Sequence, residues 1–201
     1  MKDKAWFNLV FMLICTALFT GILSGFYVYS RPQISANARL NEITAQLNAL
    51  NIVIPAGMSS TDLELYYEQH IVVKNMNGFD VYQYETNDGS IYYAIPFEGA
   101  GLWGDITGII ALDQELKTVV GMDFVSQNET PGLGGRIQED WFKEQFRGIT
   151  LYSDGDLIRY AAAGSEGQVD AITGATATSS AVIDILNESI KQAKTRIGGD
   201  N

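Results

Sequence analysis

The sequence predicts an α+β fold: one N-terminal transmembrane helix, then a domain with a largely antiparallel sheet and a C-terminal helix. Three observations carry this expectation. Residues 5–30 form an uncharged, apolar run of 26 residues. Alternating apolar segments separated by turn residues fill residues 71–125. A helical apolar period then occupies residues 181–197. Helices, then a meander, then mixed elements is the order of an α+β protein rather than of alternating βα units.

The first element is read as a membrane anchor. At ~1.5 Å per helical residue the apolar run spans roughly 39 Å, enough to cross a ~30 Å hydrocarbon core with tilt. A cleaved signal peptide would have an apolar region of only about 7–15 residues, ending at small side chains. This run is longer and ends in Phe26, Tyr27 and Tyr29, aromatics suited to a membrane interface. Lys2 and Lys4 precede it and Arg31 and Arg39 follow, a slight bias towards a cytoplasmic N-terminus and an extracytoplasmic remainder. Without Lys2, Asp3 and Lys4 the chain holds 11 basic and 23 acidic residues, a net charge of −12. Such a domain is repelled by nucleic acid and by anionic lipid, so no nucleic-acid partner is expected.

Three segments follow from this reading: an anchor over 1–31, a helical connector over 32–70 and a third domain over 71–201. Apolar residues at helical spacing predict a helix over 32–51, with Pro32 as a break or first turn. Ser60 reads as the N-cap of a helix over 61–69. Residues 79–84 and 91–97 alternate around the turn at Asn87, Asp88 and Gly89, which predicts a hairpin. A second strand pair is expected over 107–112 and 118–125. A glycine-rich loop over 129–135, a short aromatic helix over 138–148 and weak strands over 149–152 and 157–161 precede the final helix.

Little of the usual catalytic apparatus is available. The one cysteine, Cys15, lies in the apolar run, which excludes disulfides, iron–sulfur clusters and thiolate zinc from the rest of the chain. The one histidine, His70, cannot build a multi-histidine metal site and fits a helix end better than a catalyst. No metal site and no catalytic side chain are expected, so any chemistry rests on a cofactor. Gly99, Gly101 and Gly104 match G-x-G-x-x-G, and Asp123 stands where a ribose-binding acid would. The match fails on context, because strands rather than a helix follow it. A tight turn that brings Trp103 close to a planar ligand is the better reading, beside a bulged hairpin with an ordinary core tryptophan.

The stretch Asp170, Ala171, Ile172, Thr173, Gly174, Ala175, Thr176 lies directly before the final helix. A Thr-Gly-Ala-Thr turn there presents a hydroxyl and free backbone N–H groups together, a combination that suits a phosphate. This stretch resembles the flavinylation motif of the FMN-binding subunits of two bacterial complexes. They are the Na⁺-translocating NADH:quinone reductase (its C component) and the Rnf ferredoxin:NAD⁺ oxidoreductase (its G component). Gly101, Leu102, Trp103, Gly104 and the segment from Glu129 to Gly135 are similar to two further signatures of that family, in the same order. The resemblance covers roughly residues 75–197.

The resemblance implies an extracytoplasmic FMN-binding domain tethered by one helix in the cell membrane. Thr176 would carry FMN through a covalent phosphoester bond, made by a dedicated flavin transferase from FAD with Mg²⁺. Asp170 would belong to the signal that the transferase recognises, with Thr173 a supporting hydroxyl and the small Gly174 and Ala175 giving access. Backbone N–H groups over 177–179, including those of Ala177 and Thr178, would hold the phosphodiester. Leu102, Trp103, Glu129, Thr130, Gly132 and Leu133 would line the flavin, and Arg136 would offset the phosphate. Function would be electron transfer within a multisubunit membrane complex that couples NADH-to-quinone or ferredoxin-to-NAD⁺ electron flow to Na⁺ or H⁺ export. An acidic domain with few cations favours loss over gain of an electron. Two alternatives remain open here: a stand-alone anchored flavoprotein feeding an extracytoplasmic reductase, and a non-redox anchored binding domain.

Overall fold

The apolar N-terminal run forms helix α1, Lys2–Ala49, in a computed structural model that describes residues 2–55, 57–153, 155–161 and 168–198. An 18-residue window of α1 has a mean hydropathy of 2.2 and none of it is buried, so the helix is long and apolar enough to cross a membrane. Pro32 sits inside this helix, not at a break. An interior proline removes one backbone bond to the preceding turn, and here the helix continues through it. The chain divides into two compact units, Met1–Leu40 and Asn41–Asn201. The last turns of α1, read from sequence as connector, therefore belong to the larger unit.

That larger unit is built on a five-stranded antiparallel sheet. Its strands are β1 (Ile71–Met76), β2 (Phe79–Glu85), β3 (Ile91–Ala100), β4 (Asp105–Asp113) and β5 (Val119–Ser126), paired strictly in chain order. Side chains alternate across a strand, so each strand can serve two cores. On one face, Ile95 and Phe97 of β3 and Ile106, Ile110 and Leu112 of β4 are buried with Val182, Leu186 and Ile190 of the last helix, α4 (Thr176–Ile197). On the other face, Ala94, Ile109 and Ala111 are buried with Ile43, Leu47 and Leu50 from the end of α1 and Tyr67 of α2 (Ser60–His70). The interior strand β4 is thus covered on both sides, which explains its nearly unbroken apolar sequence.

The helix α2 begins one residue earlier than expected. Ser59 caps it, accepting from the Asp62 N–H at 3.2 Å and donating to the Asp62 carboxylate at 2.6 Å. His70 closes its last turn, exposed, with Nδ1 2.7 Å from the Tyr66 carbonyl and its ring stacked on Tyr66. The aromatic helix expected over 138–148 is shorter: a 3-10 turn, Gly134–Gln138, followed by α3, Asp140–Glu144. The weak strands reduce to β6 (Tyr160–Ala161), parallel to β7 (Val169–Asp170), and a single bridge between Thr118 and Thr150.

Asp123 shows why the glycine pattern is not a dinucleotide site. The turn 101–104 joins two antiparallel strands, and Asp123 is a buried anchor of β5. Its carboxylate accepts from Asn48 at 2.7 Å and from Lys143 at 3.0 Å, tying the end of α1 and α3 to the sheet. Burial pulls the Lys143 ammonium down, but the Asp123 and Asp140 carboxylates outweigh it and hold its pKa above the ordinary lysine value of 10.5. A raised lysine contributes stability that is complete below its unfolded value and disappears as pH rises through the folded one. Urea unfolding between pH 9 and 12 is expected to show this loss above about 10.5 in the wild type. In Lys143→Met the loss should be flatter; an identical high-pH limb would mean that the ion pair contributes nothing.

Candidate functional site

The turn before α4 is locked by its own backbone and one serine. The Ala175 N–H donates to the Ile172 carbonyl at 2.9 Å, around Gly174 at φ +81°. That left-handed conformation supplies a direct reason for glycine at 174. Ser179 completes the lock: its Oγ accepts from the Ile172 N–H at 3.1 Å and donates to the Ala175 carbonyl at 3.0 Å. Sequence reasoning counts Ser179 only for its backbone N–H and misses its hydroxyl, whose one signal is its place a helical turn after Ala175.

The N-cap of α4 is Ala175, which offers no side-chain cap, so Thr176 is the first helical residue and not the cap. The first intrahelical bond runs from the Ser179 N–H to the Ala175 carbonyl at 3.0 Å. Ser179 is therefore engaged, and the N–H groups without an intrahelical acceptor are those of Thr176, Ala177 and Thr178. This shifts the expected set, 177–179, by one residue. Thr173 and Thr176 are exposed, whereas Thr178 is only 1% exposed.

Glu129 joins this turn to the other two loops. It is 5% exposed. One carboxylate oxygen, Oε1, accepts from the backbone N–H of Leu102 at 2.8 Å and of Trp103 at 2.9 Å. The other, Oε2, accepts from the Thr178 hydroxyl at 2.6 Å. The residue expected to line a flavin thus lies underneath the site and holds it together, with Thr178 as its partner. Glycine is required on both sides of the carboxylate: a Cβ on Gly101 would stand 2.5 Å from Oε1, and one on Gly134 would stand 2.6 Å from the Thr178 hydroxyl.

Above this clamp the loops turn apolar side chains outward. Trp103 is 71% exposed, and Leu102 and Leu133 are exposed as well. A Cβ on Gly174 would touch a Leu133 methyl at 3.4 Å, so the glycine-rich loop reaches the Thr-Gly-Ala-Thr turn. Thr130 folds that loop, its carbonyl accepting from the N–H groups of Leu133 and Gly135, and Gly132 takes a φ of +76° at its apex. The arrangement offers an exposed hydroxyl at a helix start, whose first N–H groups have no intrahelical acceptor, beside a small apolar platform, which fits a ligand that is an anion at one end and a flat ring at the other.

Two of the expected residues are placed differently. Arg136 does not point its charge at the turn: it pairs with Glu139 at 3.1 Å, and its guanidinium lies over the Trp141 ring, whose N–H also bonds Glu139. Asp170 is exposed at the end of β7, held through its backbone by Gln145, whose amide oxygen accepts the Asp170 N–H at 2.8 Å. Nothing in the local sequence marks Gln145. Among the described residues no cluster of His, Cys, Asp or Glu could hold a metal ion.

These loops coincide with a known domain. The FMN-binding domain model matches residues 101–191, from the Gly-Leu-Trp-Gly turn into the last third of α4. The C component of the Na(+)-translocating NADH-quinone reductase of Pseudomonas aeruginosa is 38% identical over 116 residues, 53% of this chain and 44% of that protein. The G component of the proton-translocating ferredoxin:NAD(+) oxidoreductase complex of Clostridium ljungdahlii is 33% identical over 125 residues, 60% of this chain and 63% of that one. The crystal structure of the C component of the Parabacteroides distasonis Na(+)-translocating NADH-quinone reductase superposes with a TM-score of 0.68 at 27% identity, over 85% of this chain and 96% of that one. Residues 101–191 thus match an FMN-binding domain, and the chain is similar to the FMN-binding subunits of these complexes.

The chain spans about half the length of the curated relatives it matches. The three loops joined at Glu129 all fall inside the residues that match the FMN-binding domain. Two substitutions test the clamp. Gly134→Ala places a methyl against the Thr178 hydroxyl and should cost about 1–3 kcal/mol by leaving a buried acceptor short of a donor. Gly174→Ala should cost about 1 kcal/mol through its positive φ. Urea unfolding of the detergent-solubilised protein measures both, and wild-type stability in Gly134→Ala would contradict the geometry.

Proposed function

We propose that this protein is a membrane-anchored electron-transfer subunit carrying FMN in a phosphoester bond to Thr176. The observation that carries the reading is the selection among hydroxyls at the turn. Thr178 is buried and donates to Glu129, and the Ser179 hydroxyl is committed to the Ala175 carbonyl. Thr176 is exposed and begins the helix, beside N–H groups that have no intrahelical acceptor. Of the two exposed hydroxyls at the turn, Thr173 and Thr176, it is the one at the helix start, where the N–H groups can hold a phosphodiester.

In this reading a flavin transferase docks on the exposed Asp170 segment. The Thr176 hydroxyl gives up its proton, its oxygen bonds the FMN phosphorus of FAD, and AMP departs as the pyrophosphate bond breaks. Bound FMN supplies one- and two-electron redox chemistry. The chain's own residues anchor the phosphate, support the ring on Leu102, Trp103 and Leu133, and leave one side open for exchange with a neighbouring subunit. The helix α1 holds the domain at the membrane, with the N-terminus cytoplasmic and the flavin domain outside. The partners are the other subunits of a complex in which electron flow, from NADH to quinone or between ferredoxin and NAD⁺, is coupled to export of Na⁺ or H⁺.

A denaturing gel of protein made in cells that contain the flavin transferase tests the assignment. The wild type should give a fluorescent band at the mass of the chain. Thr176→Ala should abolish the band, while Thr173→Ala should retain it. A missing wild-type band, or one that survives Thr176→Ala, would sink the proposal.

A further inference from the structure

Glu129 brings a charge to a place where hydrogen bonding alone does not require one. Its three donors, two backbone N–H groups and the Thr178 hydroxyl, are all neutral, and among the described residues no cation pairs with it. A glutamine of the same shape would satisfy the same loops: its oxygen would accept the Leu102 and Trp103 N–H groups, and its NH₂ would donate to Thr178, whose hydroxyl can turn to accept. The fold nevertheless encloses an acid at 5% exposure, directly beneath the backbone that carries the exposed Leu102 and Trp103. The nearest arginine of the adjoining loop, Arg136, is committed to Glu139.

We infer that Glu129 is a positioning residue with an electrostatic role: it fixes the Leu102–Trp103 turn against the start of α4, and its charge lowers the reduction potential of a flavin carried at Thr176. This inference rests on the function proposed above. The sign follows from charge alone. Each electron taken up adds negative charge to the ring system, and a fixed anion in a low-dielectric setting opposes that gain. Three neutral donors reduce the opposition without cancelling it. The result is a carrier biased towards giving electrons up, in a domain whose remaining charge has the same sign.

The experiment uses full-length protein, flavinylated in cells and purified in detergent, with the midpoint potential read by spectroelectrochemical titration. Glu129→Gln keeps shape and hydrogen bonds and removes the charge. It should still take up flavin, unfold at a somewhat lower temperature because neutral hydrogen bonds replace charge-assisted ones, and show a midpoint shifted to more positive potential. Thr178→Val keeps the charge and removes a donor, and should shift the midpoint the opposite way. An unchanged midpoint in Glu129→Gln, or shifts of the same sign in both variants, overturns the inference. If Glu129→Gln does not fold, Thr178→Val decides alone, and an unshifted midpoint there is fatal. A wild type without covalent flavin overturns this inference and the proposed function together, whereas a flavinylated protein with unmoved midpoints overturns only the inference.

Discussion

A single buried carboxylate organises the functional end of this protein. Glu129 accepts from the turn that follows β3 and from the first turn of α4, while it opens the glycine-rich loop itself. Those three segments are far apart in sequence, and each is too irregular to hold its shape alone. A carboxylate with two oxygens can satisfy several donors at once, and charge-assisted hydrogen bonds are about twice as strong as neutral ones. The glycines beside it follow from this constraint, since a methyl at 101 or 134 would occupy the carboxylate's space. So does the burial of Thr178, which leaves Thr176 as the exposed hydroxyl within the first turn of α4.

The sheet provides the rigid support that the clamp needs. Covered by α4 on one face and by α2 with the end of α1 on the other, β3 and β4 are held at both surfaces. The turn between them therefore leaves the core from fixed ends, and α4 starts from a fixed position over the same strands. Asn187 secures the far side of α4, exchanging hydrogen bonds with both backbone groups of Ile158 at 2.8 and 2.9 Å. Precision at the site is thus inherited from regular elements, and the exposed loops contribute the chemistry.

Much of this is legible in the sequence, for identifiable reasons. Alternation and turn residues mark the strands, because a period of two survives wherever a strand has two environments. The turn at 173–176 is legible because glycine and threonine directly before a helical apolar period mark a helix start. What stays hidden depends on side chains meeting across the fold. By sequence Glu129 is part of a ligand-lining loop, and only tertiary structure shows that it faces inward. Arg136 looks available until Glu139 and Trp141 are placed around it. Gln145 holds Asp170 across 25 residues of sequence, a distance that no local pattern reports. The helix through Pro32 and the collapse of the weak strands are cases in which the fold overrides local rules.

If the clamp at Glu129 selects among the hydroxyls, the fold presents one of them for modification. Tandem mass spectrometry of the intact, flavinylated chain, with fragmentation across the segment from Asp170 to Ser180, tests this most directly. The predicted result is a phosphoester-linked flavin mononucleotide on Thr176, with Thr173, Thr178, Ser179 and Ser180 unmodified. Flavin located on Thr178 or Ser179, whose hydroxyls the structure commits to Glu129 and to the Ala175 carbonyl, would contradict it.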